Sequence, residues 1–456
     1  MIHKFTVNGE RFVLDVNSGA LHLVDGLVWD LLDDDFPRRT RDELVARCAP
    51  KYPPDEAAEA IAEIERLVAE GALFSEDLLR GSWELPGDEI VKALCLHLAH
   101  DCNLSCRYCF GAQGSFAGPR SLMPAEVGRR AIDFLLASCG PRRHVEIDFF
   151  GGEPLLNFSV LRELVAYGRD RAARLGKEIK FTVTTNAVLL TKKTGDYLAE
   201  NQISVILSLD GRRPVHDRMR VFPGGDGSYD LVVNNISRFL EAHPEVDYYL
   251  RGTFTRANLD FAGDVLHLAD LGFDKISVEP VVASPEESYA LREEDLPLVF
   301  AEYERLAAEL VSRARRGREI DFYHFNIDLA GGPCLPKRLS GCGAGGEYLA
   351  VTPQGDLYPC HQFVGRPDYW LGDVARGVVR SDLRAMFRRA HIYNKEGCSE
   401  CWARFYCSGG CHASAQAFNG DIHKPYKLAC RYMQKRLECA LYFQALKAQG
   451  FSPFGP

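Results

Sequence analysis

The rhythm of apolar and polar positions divides the chain into three stretches. Residues 1 to about 80 open with short alternating runs, FTVN at 5–8 and RFVLDV at 11–16, on either side of the turn-former Gly9. A third run, ALHLVD at 20–25, follows the turn signal Asn17-Ser18-Gly19. Helical periodicity then takes over at 27–34, 41–49 and 55–71, with Gly71 positioned as a C-cap. Three short strands followed by three helices predict a compact winged-helix-like module over 1–80, and SEDLLRGSWELPGDE at 75–89 reads as a linker.

From about 90 to 320 strand and helix patterns alternate. Strands are predicted at 91–98, 144–150, 179–185, 203–209, 247–254 and 275–281, with amphipathic runs between them, including 126–138 and 160–176. Six such units imply parallel strands joined by right-handed crossovers, hence an α/β fold of the partial (β/α)6 barrel type. Chemistry on such a scaffold sits at the C-terminal ends of the strands. Beyond 330 the alternation stops, and a third domain over 330–445 is rich in cysteine, glycine and short turns. It offers little apolar surface for its length, so metal is expected to hold it together.

Composition narrows the class. With 46% hydrophobic and 26% charged residues, the 456-residue chain is neither disordered nor fibrous. A net charge of -9 argues against a non-specific nucleic-acid or anionic-membrane surface, so neither partner is expected. No run approaches 18 consecutive apolar residues, and MIHKFTVNGERFVLD lacks the apolar segment of a secretory signal, so a cytoplasmic location is expected. The 15 cysteines then become the feature to explain, because clustered thiols in a reducing compartment more often bind metal or do redox work than form disulfides.

After the first barrel strand comes HDCNLSCRYCF, which places Cys102, Cys106 and Cys109 in CxxxCxxC spacing on a loop. Three thiolates can hold three irons of a 4Fe-4S cluster and leave the fourth open, whereas a ferredoxin site wants a fourth cysteine. Structural zinc, the competing reading, also wants a fourth ligand. With Tyr108 before the last cysteine, the motif resembles that of the radical S-adenosylmethionine (SAM) superfamily. That resemblance implies SAM chelated at the open iron and cleaved to a 5'-deoxyadenosyl radical that abstracts a hydrogen atom.

The second strand ends in FFGGEPLLN, where Gly151 and Gly152 allow a close backbone approach and Glu153 offers a carboxylate. By resemblance this is the GGEP motif, whose backbone binds the methionyl ammonium of SAM. Polar residues also finish later strands: Thr184, Thr185 and Asn186, then Ser208 and Asp210, then Glu279. These are expected ligand contacts at an open barrel face, although such residues also cap helices and turns. The family uses comparable positions for the ribose and carboxylate of SAM. Arg220 is a further candidate partner for that carboxylate.

In the tail, Cys342, Gly355 and Cys360 precede Cys398, Cys401, Cys407 and Cys411 in CxxCx5Cx3C spacing, and Cys430 follows. This resembles the SPASM extension of radical SAM peptide-modifying enzymes; two zinc knuckles are the alternative. The resemblance implies one auxiliary 4Fe-4S cluster on Cys398, Cys401, Cys407 and Cys430, and another on Cys342, Cys360 and Cys411. Cys334 is the local candidate for that second cluster's fourth ligand, and without it an iron would stand open to a substrate thiolate. Cys48, Cys95, Cys139 and Cys439 sit in apolar patterns and read as buried small hydrophobes.

The N-terminal unit resembles the leader-peptide recognition element of enzymes that modify ribosomally made peptides, which captures a leader as an added edge strand. A DNA-binding wing is the alternative, but VDGLVWDLLDDDF carries five aspartates. With all three parts, and with the stretches at 100–114 and 331–365, the chain resembles the maturases of SCIFF peptides, which are small cysteine-rich precursors. The resemblance implies a ranthipeptide- or sactipeptide-type oxidoreductase that joins a cysteine sulfur to an acceptor carbon as a thioether. Its partners would be a leader-bearing cysteine-rich precursor and a flavodoxin- or ferredoxin-type one-electron donor. An anaerobic sulfatase maturase making formylglycine, a peptide C–C crosslinker or quinone-cofactor enzyme, and a non-catalytic iron-sulfur electron carrier are the other readings.

Overall fold

The computed structural model describes residues 1–81, 90–329 and 335–451. Cys334 and the larger part of the expected linker lie outside the described residues. The alternating runs at the N-terminus form β1 (Ile2–Val7), β2 (Glu10–Asp15) and β3 (Leu21–Leu23), an antiparallel sheet in that order. Gly9 supplies the positive φ of the first hairpin turn. Three helices follow: α1 (Gly26–Leu31), α2 (Arg41–Cys48) and α3 (Pro54–Ala69). Thr40 and Glu43 form a reciprocal capping box at the start of α2. Gly71, in the left-handed conformation, closes α3 as its spacing predicts.

The sheet of this unit joins two cores. Val13 packs with Leu31, Leu44, Ile61 and Ile64 of the three helices. Phe5, Val7, Phe12 and Leu14 instead join the main core, where Phe12 meets Tyr442 edge-on at 6.1 Å. The aspartate run is largely spent internally: Asp25 caps α1, Asp30 pairs with Lys51, and Asp33 pairs with Arg39 and Arg47.

The central sheet contains β4 (Ala93–His100), β5 (Ser121–Leu122), β6 (His144–Gly151), β7 (Glu178–Thr185), β8 (Ser204–Ser208), β9 (Tyr248–Phe254) and β10 (Lys275–Pro280). Strands β4, β6, β7, β8, β9 and β10 lie side by side in chain order, all parallel. The first of them extends two residues beyond the sequence expectation, because β5 pairs antiparallel with Ala99 and His100. Two strands lengthen the parallel run at its ends: β11 (Asp321–Phe322) beside β10, and β12 (Tyr348–Val351) beside β4. From β12 the sheet turns antiparallel through β13 (Asp356–Tyr358), β14 (Gly372–Asp373) and β15 (Gly377–Val378). The cysteine-rich tail is thus hydrogen-bonded to the strand that leads into the first cysteine loop. Among the described residues, no helix is long and apolar enough to cross a membrane.

The N-terminal unit is clamped to the tail at the CxxC turn. Arg404, 3% exposed, donates to Asn17 Oδ1, to Asp77 Oδ2 at 3.3 Å and to the carbonyl of Cys401 at 3.2 Å. Asp77 also accepts from the Tyr393 hydroxyl at 2.8 Å, and the His3 ring stacks on Trp402 at 3.8 Å. Arg404→Ala would leave Asp77 short of its counter-ion. Faster amide hydrogen exchange over Asn17–Ala20 and Ser75–Arg80 is the expected result, with exchange in β6 and β7 unchanged.

Candidate active site

The three-cysteine loop is held from outside its own sequence. The amides of Ser105 and Arg107 donate to the carbonyls of Val221 (2.7 Å) and Met219 (2.9 Å), the amide of Cys109 closes a turn on Cys106 (3.2 Å), and Leu104 is buried beneath. This orients Cys102, Cys106 and Cys109 into one cavity of about 240 Å³ at the C-terminal ends of the parallel strands. None of the three is in a disulfide, and burial pushes the thiols of Cys102 and Cys106 up to about 12 and about 11. In the metal-free chain these thiols hold their protons, and a metal must displace them to bind.

The glycines at the end of β6 make the approach possible. Gly151 has φ +126°, and a Cβ there would collide with the Ala99 carbonyl oxygen. At Gly152 a Cβ would strike the Asp101 carbonyl oxygen and lie 2.8 Å from the Cα of Gly114. Backbone therefore lies directly on backbone between β6, the cysteine loop and Gly114, and both β6 glycines line the cavity.

Tyr108, Asn186 and Ser208 line the cavity, as do Thr184, Thr185, Arg220 and Glu279. The carboxylates of Glu153 and Asp210 do not, which corrects the expectation that they contact a ligand. Glu153 is fully buried behind the wall and accepts from the amides of Leu155 and Asn186 (3.0 and 2.8 Å) and the hydroxyl of Thr185 (2.8 Å). Burial lifts its carboxyl to about 7 against the pull of those donors, and its task is to fix the turn that carries Asn186. Asp210, also fully buried, accepts from the Tyr108 hydroxyl (2.6 Å), Arg220 Nε (3.0 Å) and the Thr253 amide (3.1 Å). It ties the cysteine loop to β9, while the Arg220 guanidinium lies 5.5 Å from the Tyr108 ring centre.

Other lining residues escape the sequence patterns. Arg251, on β9, pairs with Glu279 of β10 at 2.6 Å, and the polar position within an apolar strand is its only sequence signal. Phe110 and Phe150 flank His361, with ring centres 5.5 and 5.0 Å from it. Nothing in their spacing announces them.

The tail cysteines fall into two electrostatic neighbourhoods. Cys342, Cys360 and Cys411 act on one another, and so do Cys398, Cys401, Cys407 and Cys430. The hairpin between β12 and β13 turns at Gly355, φ +93°, and delivers Cys360. A second cavity of about 280 Å³ is lined by Cys407, Cys411 and Cys430 and shares Glu279, Pro280, Val282 and Gln362 with the first. Cys48, Cys95, Cys139 and Cys439 are all buried.

Residues 89–226 match the family described as a 4Fe-4S single cluster domain, and residues 342–402 match SPASM, an iron-sulfur cluster-binding domain. An uncharacterized protein of Methanocaldococcus jannaschii is 32% identical over 60% of this chain and 86% of its own. The chain belongs to the radical SAM/SPASM enzymes. Solved structures of that fold include anSMEcpe with bound AdoMet, at TM-score 0.67 and 19% identity, covering 79% of this chain and 100% of that one. SuiB of Streptococcus suis bound to S-adenosylmethionine aligns at TM-score 0.51 and 17% identity over 93% of this chain and 97% of its own.

As a radical SAM/SPASM oxidoreductase, the protein uses SAM and at least one 4Fe-4S cluster. Its first cavity suits both. Three thiols line it, and next to Cys102 the Asn103 Nδ2 is buried without a protein partner. Ser208 and the β6 glycines leave hydroxyl and polar backbone groups for a zwitterion.

Proposed function

We propose that this radical SAM/SPASM enzyme matures a cysteine-rich ribosomal peptide by joining cysteine sulfur to an acceptor carbon as a thioether. The shared wall of Glu279, Pro280, Val282 and Gln362 carries this reading, because a chain lying across it meets the three-cysteine cavity on one side and Cys411 on the other. An acceptor carbon and a thiol of one peptide can thus face different centres at once, so reaction is intramolecular on a pre-ordered substrate. When bound, SAM and its cluster supply a hydrogen-abstracting radical, while the auxiliary centres supply a thiolate-binding site and a sink for the surplus electron.

The protein's own residues supply position and exclusion of water. Gly151 and Gly152 would bring backbone against the SAM amino-acid moiety, with Asn186 and Ser208 facing its remaining polar groups. Cys102, Cys106 and Cys109 would hold the radical cluster. Cys398, Cys401, Cys407 and Cys430 would hold one auxiliary cluster, and Cys342, Cys360 and Cys411 the other, with Cys334 as the candidate fourth ligand. The leader would add as a strand to the free edge of β3 in a winged-helix module spanning about 1–80. SuiB, whose fold aligns over 93% of the chain, has been described bound to its precursor peptide SuiA, which supports a peptide partner. The electron would come from a cytoplasmic flavodoxin or ferredoxin.

Anaerobic incubation of the iron- and sulfide-reconstituted enzyme with SAM, dithionite and a cysteine-rich precursor is expected to remove two hydrogens per crosslink, one from carbon and one from sulfur. Mass spectrometry after thiol alkylation would show one blocked cysteine per bond. A product with all thiols alkylatable, or one converted to an aldehyde, would refute the thioether assignment.

A further inference from the structure

Lys395 is 3% exposed, yet among the described residues no carboxylate lies within ion-pairing distance of it. Its Nζ donates to the carbonyls of Gly409 at 2.8 Å and Gly410 at 3.4 Å. Those carbonyls belong to Cys407-Ser408-Gly409-Gly410-Cys411, the segment that joins one cysteine of each tail neighbourhood. Ser408, Gly409 and Gly410 are all left-handed, φ 58°, 83° and 70°, so the segment curls around the ammonium. The approach needs the glycine, since a Cβ at Gly409 would lie 2.8 Å from Lys395 Cδ.

A buried ammonium satisfied by peptide carbonyls alone is costly, and proteins retain such a charge opposite an anion. Burial holds its proton affinity below that of a free lysine in the metal-free chain, and the groups that work against burial are thiols of both neighbourhoods, in order Cys398, Cys407, Cys342 and Cys411. Thiolate-ligated clusters would put net negative charge on both sides of the segment.

We propose that Lys395 is the common counter-cation of the two auxiliary centres, raising the reduction potential of both and so favouring their uptake of the electron released when the substrate bond forms. This rests on the reading of the seven tail cysteines as two cluster sites. A fixed positive charge stabilises the more negative reduced state of each centre, and one charge between them acts on both.

The test is a dithionite titration of the reconstituted holoenzyme followed by electron paramagnetic resonance, comparing wild type, Lys395→Met and Lys395→Arg. Removing the charge is expected to shift the reduction equilibrium of both auxiliary signals at least tenfold toward oxidised, 59 mV for a one-electron couple. The signal lost on Cys102→Ala should not move, and Lys395→Arg should keep more of the wild-type potential than Lys395→Met. Unchanged auxiliary potentials in Lys395→Met would overturn the proposal, whereas wild type without auxiliary signals would overturn the cluster reading beneath it. Thermal unfolding of the metal-free protein covers a variant that fails to take up iron. Loss of an uncompensated charge should leave apo Lys395→Met as stable as wild type or more so, and a less stable apo variant would make the lysine merely structural.

Discussion

Cys106→Ala is expected to reduce 5'-deoxyadenosine formation from SAM to background, a loss of at least ~10³-fold, or about 4 kcal/mol in barrier. The first cavity offers three thiols among the described residues, so no neighbour can replace one that is removed. The fold should survive, because the loop is anchored by the amides of Ser105 and Arg107, which the substitution leaves in place. Circular dichroism should therefore match wild type while iron content falls by one cluster's share and the auxiliary signals persist. Retained SAM cleavage in this variant would remove the three-cysteine loop from the chemistry.

The second large effect is expected at Asp210, which does not line the first cavity. Asp210→Ala leaves the Arg220 guanidinium, 12% exposed, without its carboxylate and frees the Tyr108 hydroxyl and the Thr253 amide together. Breaking a buried ion pair from one side costs about 3–5 kcal/mol, and the cost here falls on the loop that carries the cysteines. Chemical denaturation of the metal-free protein should show the loss directly. Reconstituted Asp210→Ala should also bind less iron at the radical site than Asp210→Asn, which keeps an acceptor for Tyr108. A variant as stable as wild type would mean that Tyr108 and Arg220 have other partners.

The contrast between these residues shows what the sequence carries. Cysteine spacing is legible because each thiol is a ligand by its own chemistry, and the Gly151-Gly152 pair because only glycine tolerates such close backbone contact. Carboxylates at strand ends carry two readings, since a polar residue there either faces a ligand or serves as the buried anchor of a neighbouring loop. Glu153 and Asp210 do the second. Arg251, His361 and Gln362 reach the wall through tertiary packing that no local pattern records. The six parallel strands follow from their apolar runs, but β12 is four residues long inside a glycine-rich stretch, too short to reveal that it pairs with β4.

That pairing also bears on how the protein is made. During synthesis β4 and β6 emerge first and can pair on one side, but the other edge of β4 waits for β12, which lies far downstream at Tyr348–Val351. The pairing around the strand that leads into the first cysteine loop is therefore complete only once β12 has been made, and the nascent sheet carries a bare edge until then. Cluster loading of that loop fits best once β12 has docked, when both sides of β4 are occupied.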